Sequence, residues 1–386
     1  MLGVLGLDGN INPFGATSTP FGGFKLEGLN EPIKMGRCST QVPIPAPPTQ
    51  TRHEREKTMY PITHSSQPNP LPSSLPSVPW RYHSVDTDDA VQLSAQSVGP
   101  SPEQAPTVLL ANGIGVTTPG LDFLAQHLMD RFHVVCWDYR GTGLSQIGER
   151  REVRYDIPRH ATDALQVLDA LEIHQSAVLG WSMGVPVGLE MIRAAPHRVA
   201  ALGALFGAAG RPFEAAFPAP MAKTIFALAK GLSRFPWPGQ AVLDLATALP
   251  STCWKVCTSL GFVGGETHEA NFTANVEAVA GADRAAYFST MVALMEHDAS
   301  DMLASVSCPV LVVGGERDWV TPPKAARALA EGVPGARLVM LERATHFGVI
   351  EYAKELYEPI DELLKPLLGA PGEEAEPKGV QEIHGA

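Results

Sequence analysis

Gly180-Trp181-Ser182-Met183-Gly184 sets a serine between two glycines, after the apolar run Ala177-Val178-Leu179 and before a helical segment. A serine held on a tight strand-to-helix turn needs small residues on both sides, because a side chain at either glycine would collide with neighbouring backbone. Its hydroxyl becomes a useful nucleophile only beside a base that is itself oriented by a third group. Two later stretches supply such partners. Val310-Leu311-Val312-Val313-Gly314-Gly315-Glu316-Arg317-Asp318 is an apolar strand running into a loop with acids, and Leu341-Glu342-Arg343-Ala344-Thr345-His346 is a strand running into a loop with a histidine. Both loops follow the carboxyl ends of strands, where open parallel sheets build their sites. Ser182, Asp318 and His346, in that chain order, could attack an acyl carbon, pass a proton to the leaving group and then activate water.

The elements that must position these residues alternate along the chain. Trp80 to Val85 and Val91 to Ala95, separated by Asp86-Thr87-Asp88-Asp89, read as an antiparallel hairpin. Beyond it, Thr107 to Ala111 and Val134 to Trp137 are buried strands, with an amphipathic helix over Leu121 to Phe132 between them. Pro158 opens a helix through Ala161 to Leu171 with Ala164, Leu165, Leu168 and Leu171 on one face. The strand before Ser182, a helix over Met183 to Ala195, and a strand over Val199 to Phe206 follow. The strand at Val310, a helix near Ala325 to Glu331, a strand over Leu338 to Leu341 and a helix over Gly348 to Leu368 complete the series. Repetition of this kind means an α/β fold, a mostly parallel sheet covered by helices on both faces.

Residues 207–305 interrupt the series with helical periodicity and no convincing strand, and read as an inserted helical cap broken at Phe235-Pro236-Trp237-Pro238. The core is then 80–206 with 306–368. Residues 1–79 hold 13 of the 34 prolines among few aliphatics and are expected to be a disordered Pro/Ser-rich leader; 369–386 form an acidic tail expected to be disordered. Met35 and Met59 within the leader are candidate alternative starts, and the absence of a basic segment before the first apolar run gives no secretion signal.

The glycine-flanked serine and the order Ser182, Asp318, His346 resemble the α/β-hydrolase superfamily over roughly Trp80 to Leu368. Asp138-Tyr139-Arg140-Gly141-Thr142-Gly143-Leu144-Ser145 is similar to the superfamily's D-x-R-G-x-G-x-S turn. The resemblance implies Asp318 as the orienting acid over Glu316, with Glu214 more remote. It also implies an oxyanion hole at Asn112-Gly113-Ile114-Gly115, where Asn112 replaces the usual histidine and the donors are the backbone N–H groups of Ile114 and Met183. A serine where dehalogenases and epoxide hydrolases of this fold carry aspartate disfavours those reactions. The reaction expected is hydrolysis of a small to medium, lipophilic ester or lactone through an acyl-enzyme. An acyltransferase using the same triad, an iminopeptidase drawing on Glu266, Glu269, Glu277 or Glu296, and a non-catalytic ligand-binding relative stand as alternatives.

Composition narrows the rest. A net charge of −12 with no Lys/Arg-rich run excludes a nucleic-acid partner. The longest apolar stretch, Val199 to Gly210, is too short to span a bilayer. An odd set of five cysteines fits reduced thiols in a cytoplasmic protein, and Cys253 with Cys257 lacks further ligands for a metal. Neither a metal nor an organic cofactor is implied, and the partner expected is a small-molecule ester or acyl substrate. In the cap, Met221, Ile225, Phe226, Leu228, Leu232 and Trp237 at helical spacing read first as cap core, with Phe226 and Trp237 also expected to wall the substrate pocket beside Trp181. Asp138 and Arg140 read as structural ties. His160, His174, His197 and His268 are expected at the surface.

Overall fold

A computed structural model describes residues 59–61, 77–148, 153–265, 267 and 269–369. Among these residues nine strands form one sheet in the order β1-β9-β8-β7-β6-β4-β5-β3-β2. They are β1 (Met59–Pro61), β2 (Arg81–Asp86), β3 (Gln92–Val98), β4 (Thr107–Ala111), β5 (His133–Trp137), β6 (Ser176–Trp181), β7 (Val199–Leu205), β8 (Val310–Gly315) and β9 (Arg337–Leu341). β3 pairs antiparallel with β2, the expected hairpin, and with β5; every other pairing is parallel.

Side chains leave a strand on alternate faces, so each strand feeds two cores. In β4, Leu109 and Ala111 join one apolar cluster while Val108 and Leu110 join the other. The helices Ile157–Ala170, Gly184–Ala194 and Pro323–Gly332 cover the first face; Asp122–Leu128 and Ala353–Leu364 cover the second. Asp156 caps Ile157–Ala170 by accepting from the Arg159 N–H at 3.0 Å, and Pro158 sits in its first turn, where no N–H is needed.

Among its described residues the insertion between β7 and β8 carries six α-helices, α1 (Pro212–Ala216), α2 (Ala219–Arg234), α3 (Trp237–Ala248), α4 (Pro250–Ser259), α5 (Glu269–Gly281) and α6 (Arg284–Glu296). Among its described residues the only β pairing is a single antiparallel bridge, Gly210 with Asp298, which joins the two roots of the cap. The cap rests on the core where the Asp283 N–H donates to the Gly141 carbonyl at 2.7 Å.

Three expectations are corrected. The leader is not wholly without structure: Met59–Pro61 adds an edge strand to β9, a backbone pairing too short to leave a hydrophobic pattern. The rest of 1–79 that precedes residue 77, and 370–386, lie outside the described residues. The final helix is broken into Gly348–Glu351 and Ala353–Leu364, followed by a tight turn at Lys365–Leu368. His160 is fully buried rather than at the surface, edge-on to Tyr139 and 3.4 Å from the Thr290 hydroxyl; burial pushes its pKa down to about 4. His174 and His197 are exposed as expected, and His268 lies outside the described residues.

Candidate active site

The turn after β6 holds Ser182 at φ +53°, a left-handed conformation costly for a residue with a Cβ. A Cβ on Gly180 would lie 2.4 Å from the Gly184 carbonyl oxygen, and one on Gly184 would lie 2.0 Å from the Ala111 carbonyl oxygen. Both contacts are with backbone, so neither glycine tolerates a side chain while β4, β6 and the helix Gly184–Ala194 keep this approach. The glycines thus let the turn tighten until Ser182 stands above the carboxyl edge of the sheet.

The loops after β8 and β9 bring the other two groups to it. Ser182 Oγ and His346 Nε2 are 2.9 Å apart, and His346 Nδ1 lies 3.0 Å from Asp318 Oδ2. Asp318 is buried, and its Oδ1 accepts from the backbone N–H groups of Val320 at 2.9 Å and Thr321 at 2.8 Å. The Thr321 hydroxyl lies 2.7 Å from Asp318 Oδ2, 3.0 Å from the Phe206 carbonyl oxygen and 3.3 Å from His346 Nδ1. Glu316 instead points outward to Arg327, and Glu214 is exposed beside Arg211, so geometry separates the three acids the chain order left in play.

Thr321 and Glu351 complete the arrangement and were not singled out from sequence. The Glu351 carboxylate is fully buried and accepts from the Thr345 N–H at 2.9 Å, the Thr345 hydroxyl at 2.6 Å and the Gly264 N–H at 2.6 Å. It ties the loop that carries His346 to the cap. The one trace in the sequence is an acid placed among Val349, Ile350 and Tyr352, at the start of a helix whose neighbours are apolar.

Ile114 and Met183 flank Ser182 on the wall of a cavity of about 510 Å³ beneath the cap. No carbonyl or side chain among the described residues accepts from either backbone N–H, which leaves both able to donate to an oxygen on a reacting carbon. Ser182 and His346 line the same cavity, with Trp181, Phe217, Phe262, Phe272, Val279 and Met291 supplying apolar walls. Among the described residues no Asp, Glu, Lys or Arg side chain lines it. Glu269, Glu277 and Glu296 therefore offer no carboxylate to a substrate amine there, and Glu266 lies outside the described residues. Cys253 and Cys257 reach the wall, and burial together with the neighbouring Cys253 pushes the Cys257 thiol up to about 11.

Of the expected pocket residues only Trp181 lines this cavity; its indole N–H donates to the His346 carbonyl at 3.3 Å. Phe226 faces a separate surface cleft with Met295 and Ala222, and Trp237 is 74 % exposed. Met221 and Leu228 are exposed too, while Ile225, Phe226 and Leu232 are half-buried, so only part of the helical apolar stripe packs within the cap. Periodicity finds a stripe but not what it meets. The turn after β5 is a structural tie, as expected. Asp138 accepts from the N–H groups of Thr118 and Leu144 at 3.1 and 3.0 Å, and buried Arg140 makes paired bonds to Asp163 and Asp89.

Comparison with known proteins places these features in context. A family model described as the alpha/beta hydrolase fold matches residues 106–353. A rhodomycin D methylesterase of Streptomyces peucetius is 29% identical over 279 residues, covering 67% of this chain and 90% of the relative. The 3-oxoadipate enol-lactonase 2 of Acinetobacter baylyi is 24% identical, covering 74% and 98%. Among solved structures, an esterase from Exiguobacterium antarcticum aligns with a TM-score of 0.62 at 19% identity, covering 73% of this chain and 98% of that one, a likeness of fold.

Proposed function

The chain belongs to the α/β-hydrolase fold family, and from that premise we propose that it hydrolyses a carboxylic ester or lactone of an uncharged, lipophilic molecule through an acyl-enzyme on Ser182. The observation that carries this reading is the unbroken chain from Ser182 Oγ to His346 Nε2 and from His346 Nδ1 to Asp318 Oδ2, at the floor of a cavity whose described lining holds no Asp, Glu, Lys or Arg side chain. His346 takes the Ser182 proton as the oxygen bonds to the acyl carbon, and the N–H groups of Ile114 and Met183 receive the developing oxyanion. The same proton then goes to the departing alkoxide. Water, deprotonated by His346, attacks the acyl carbon, and the serine leaves with that proton. Asp318 holds the imidazole with Nε2 toward the serine and steadies its charged form. The likeness to a methylesterase and an enol-lactonase supports ester or lactone substrates, and the cavity volume of about 510 Å³ suits a body of drug-like size.

Intact mass spectrometry after exposure to a fluorophosphonate tests the nucleophile, beside turnover of p-nitrophenyl esters from acetate to decanoate. The expected result is one adduct on wild type, none on Ser182→Ala, and a loss of turnover of at least about 10³-fold in that variant. Equal labelling or equal turnover in the variant would refute the assignment.

A further inference from the structure

The outer face of the cap is apolar and basic together. Phe235 is 67 % and Trp237 74 % exposed at the turn between α2 and α3. Leu228 and Phe235 stand seven residues apart on one stripe, Val242 and Leu245 share a face of α3, and Val256 and Leu260 share a face at α4; all six are exposed. Each of these three consecutive helices packs on the next, which gathers their exposed apolar residues in one segment of the cap. Isolated exposed apolar residues are ordinary, but so many on three successive packed helices mark a surface that meets something.

Charge says what that is. Residues 219–260 contain Lys223, Lys230, Arg234 and Lys255 against the single acid Asp244, a net +3 by counting, in a chain whose net charge is −12. All four cations are exposed, and among the described residues none pairs with a carboxylate. A second copy docking through the same patch would set two such basic faces against each other, which an isologous contact cannot avoid. Anionic headgroups above an acyl layer match both features, since cations meet the headgroups while Trp, Phe and Leu enter the boundary beneath. The face is also continuous with the cavity: Val242 and Trp319 line it and are themselves exposed.

We propose that this cap face docks on an anionic lipid surface, with Phe235 and Trp237 inserted and Lys230 and Arg234 on the headgroups. Docking of this kind would present the cavity mouth to molecules dissolved in the lipid. The proposal is independent of the chemistry at Ser182.

Flotation of the full chain with vesicles tests it, using phosphatidylcholine alone and phosphatidylcholine with about one-third phosphatidylglycerol. The expected result is partition into the anionic vesicles that weakens as sodium chloride is raised. Partition falls at least about tenfold in F235S/W237S and about 25-fold in K230Q/R234Q, since each of the two cations near the surface changes it about fivefold. Because neither Phe235 nor Trp237 lines the cavity, F235S/W237S keeps its melting temperature and its rate on a soluble short-chain ester. Absence of partition, or equal partition of wild type and both variants, overturns the proposal. So does a concentration-dependent dimer in sedimentation velocity that F235S/W237S abolishes without any vesicle binding, which would give the face to a second copy.

Discussion

Replacing Asp318 by asparagine removes a charge and reverses a hydrogen bond with almost no change of shape. Asp318 Oδ1 accepts from the N–H groups of Val320 and Thr321, so in the variant the amide oxygen must stay on that side. The amide nitrogen then occupies the position of Oδ2, 3.0 Å from His346 Nδ1. The Thr321 hydroxyl can accommodate it by turning to the Phe206 carbonyl, 3.0 Å away. A donor facing Nδ1 forces the imidazole to carry its hydrogen on Nε2, the nitrogen 2.9 Å from Ser182 Oγ, where it can no longer take the serine proton. Loss of the base together with loss of the charge that steadies the imidazolium should lower kcat about 10⁴-fold, equivalent to about 5.5 kcal/mol of barrier. Glu316→Gln is the paired control, since Glu316 bonds Arg327 on the surface, and its kcat should stay within about twofold of wild type. Steady-state turnover of a p-nitrophenyl ester, with the rate of fluorophosphonate labelling followed by intact mass, reads both variants. An Asp318→Asn enzyme within tenfold of wild type, or a Glu316→Gln enzyme equally impaired, would refute the argument.

Other consequences follow from the packing around the site. Gly184→Ala places a methyl against the Ala111 carbonyl and should destabilise the fold by more than about 3 kcal/mol, whereas a Cβ on Gly113 meets only side-chain atoms at 3.5 Å, so Gly113→Ala should melt close to wild type in calorimetry. His160 is held neutral in the fold with its pKa near 4, while the unfolded chain takes up the proton from about pH 6.5 downward. Stability from this group should therefore fall as pH drops from about 6.5 to about 4 and level off below, by up to about 3 kcal/mol, and urea titrations of His160→Gln should show a correspondingly shallower acid slope. An unchanged slope would show that the imidazole does not stay neutral there. Glu351→Gln turns a donor toward the N–H groups and hydroxyl that now point at the carboxylate. It should cost about 1–3 kcal/mol in denaturant unfolding and, through displacement of the His346 loop, slow kcat by roughly ten- to a hundredfold.

Period and punctuation made most of the core readable. Strands β4, β6, β7, β8 and β9 are short apolar runs ended by glycine or polar loops, and burial on both faces demands that composition. The two glycines around Ser182 were readable for a related reason, because a backbone approach of about 2 Å to any Cβ leaves no other residue type. The three groups of the candidate site each sit just past a strand, so their convergence followed from the sheet alone once its strands were recognised.

What depended on distant partners was settled only in three dimensions. Asp318 and Glu316 are two residues apart on the same loop, and only the folded loop turns one inward to His346 and the other outward to Arg327. Glu351 acquires its role from Thr345 and Gly264, the latter 87 residues away, and no local pattern carries such a contact. The cap shows the limit most clearly. Helical spacing put Phe226, Leu228 and Trp237 on apolar stripes, yet the surface a stripe covers is decided by how neighbouring helices pack, and here Leu228 and Trp237 are left to solvent. His160 errs the other way, buried by Tyr139 and Thr290 because helix Ile157–Ala170 lies beneath the cap. The sequence by itself determined the main strands, the elbow and the placing of Ser182, Asp318 and His346 at strand ends; tertiary packing alone decided the acid's supports, the cavity walls and the exposed face of the cap, since those rest on contacts between segments that share no local periodicity.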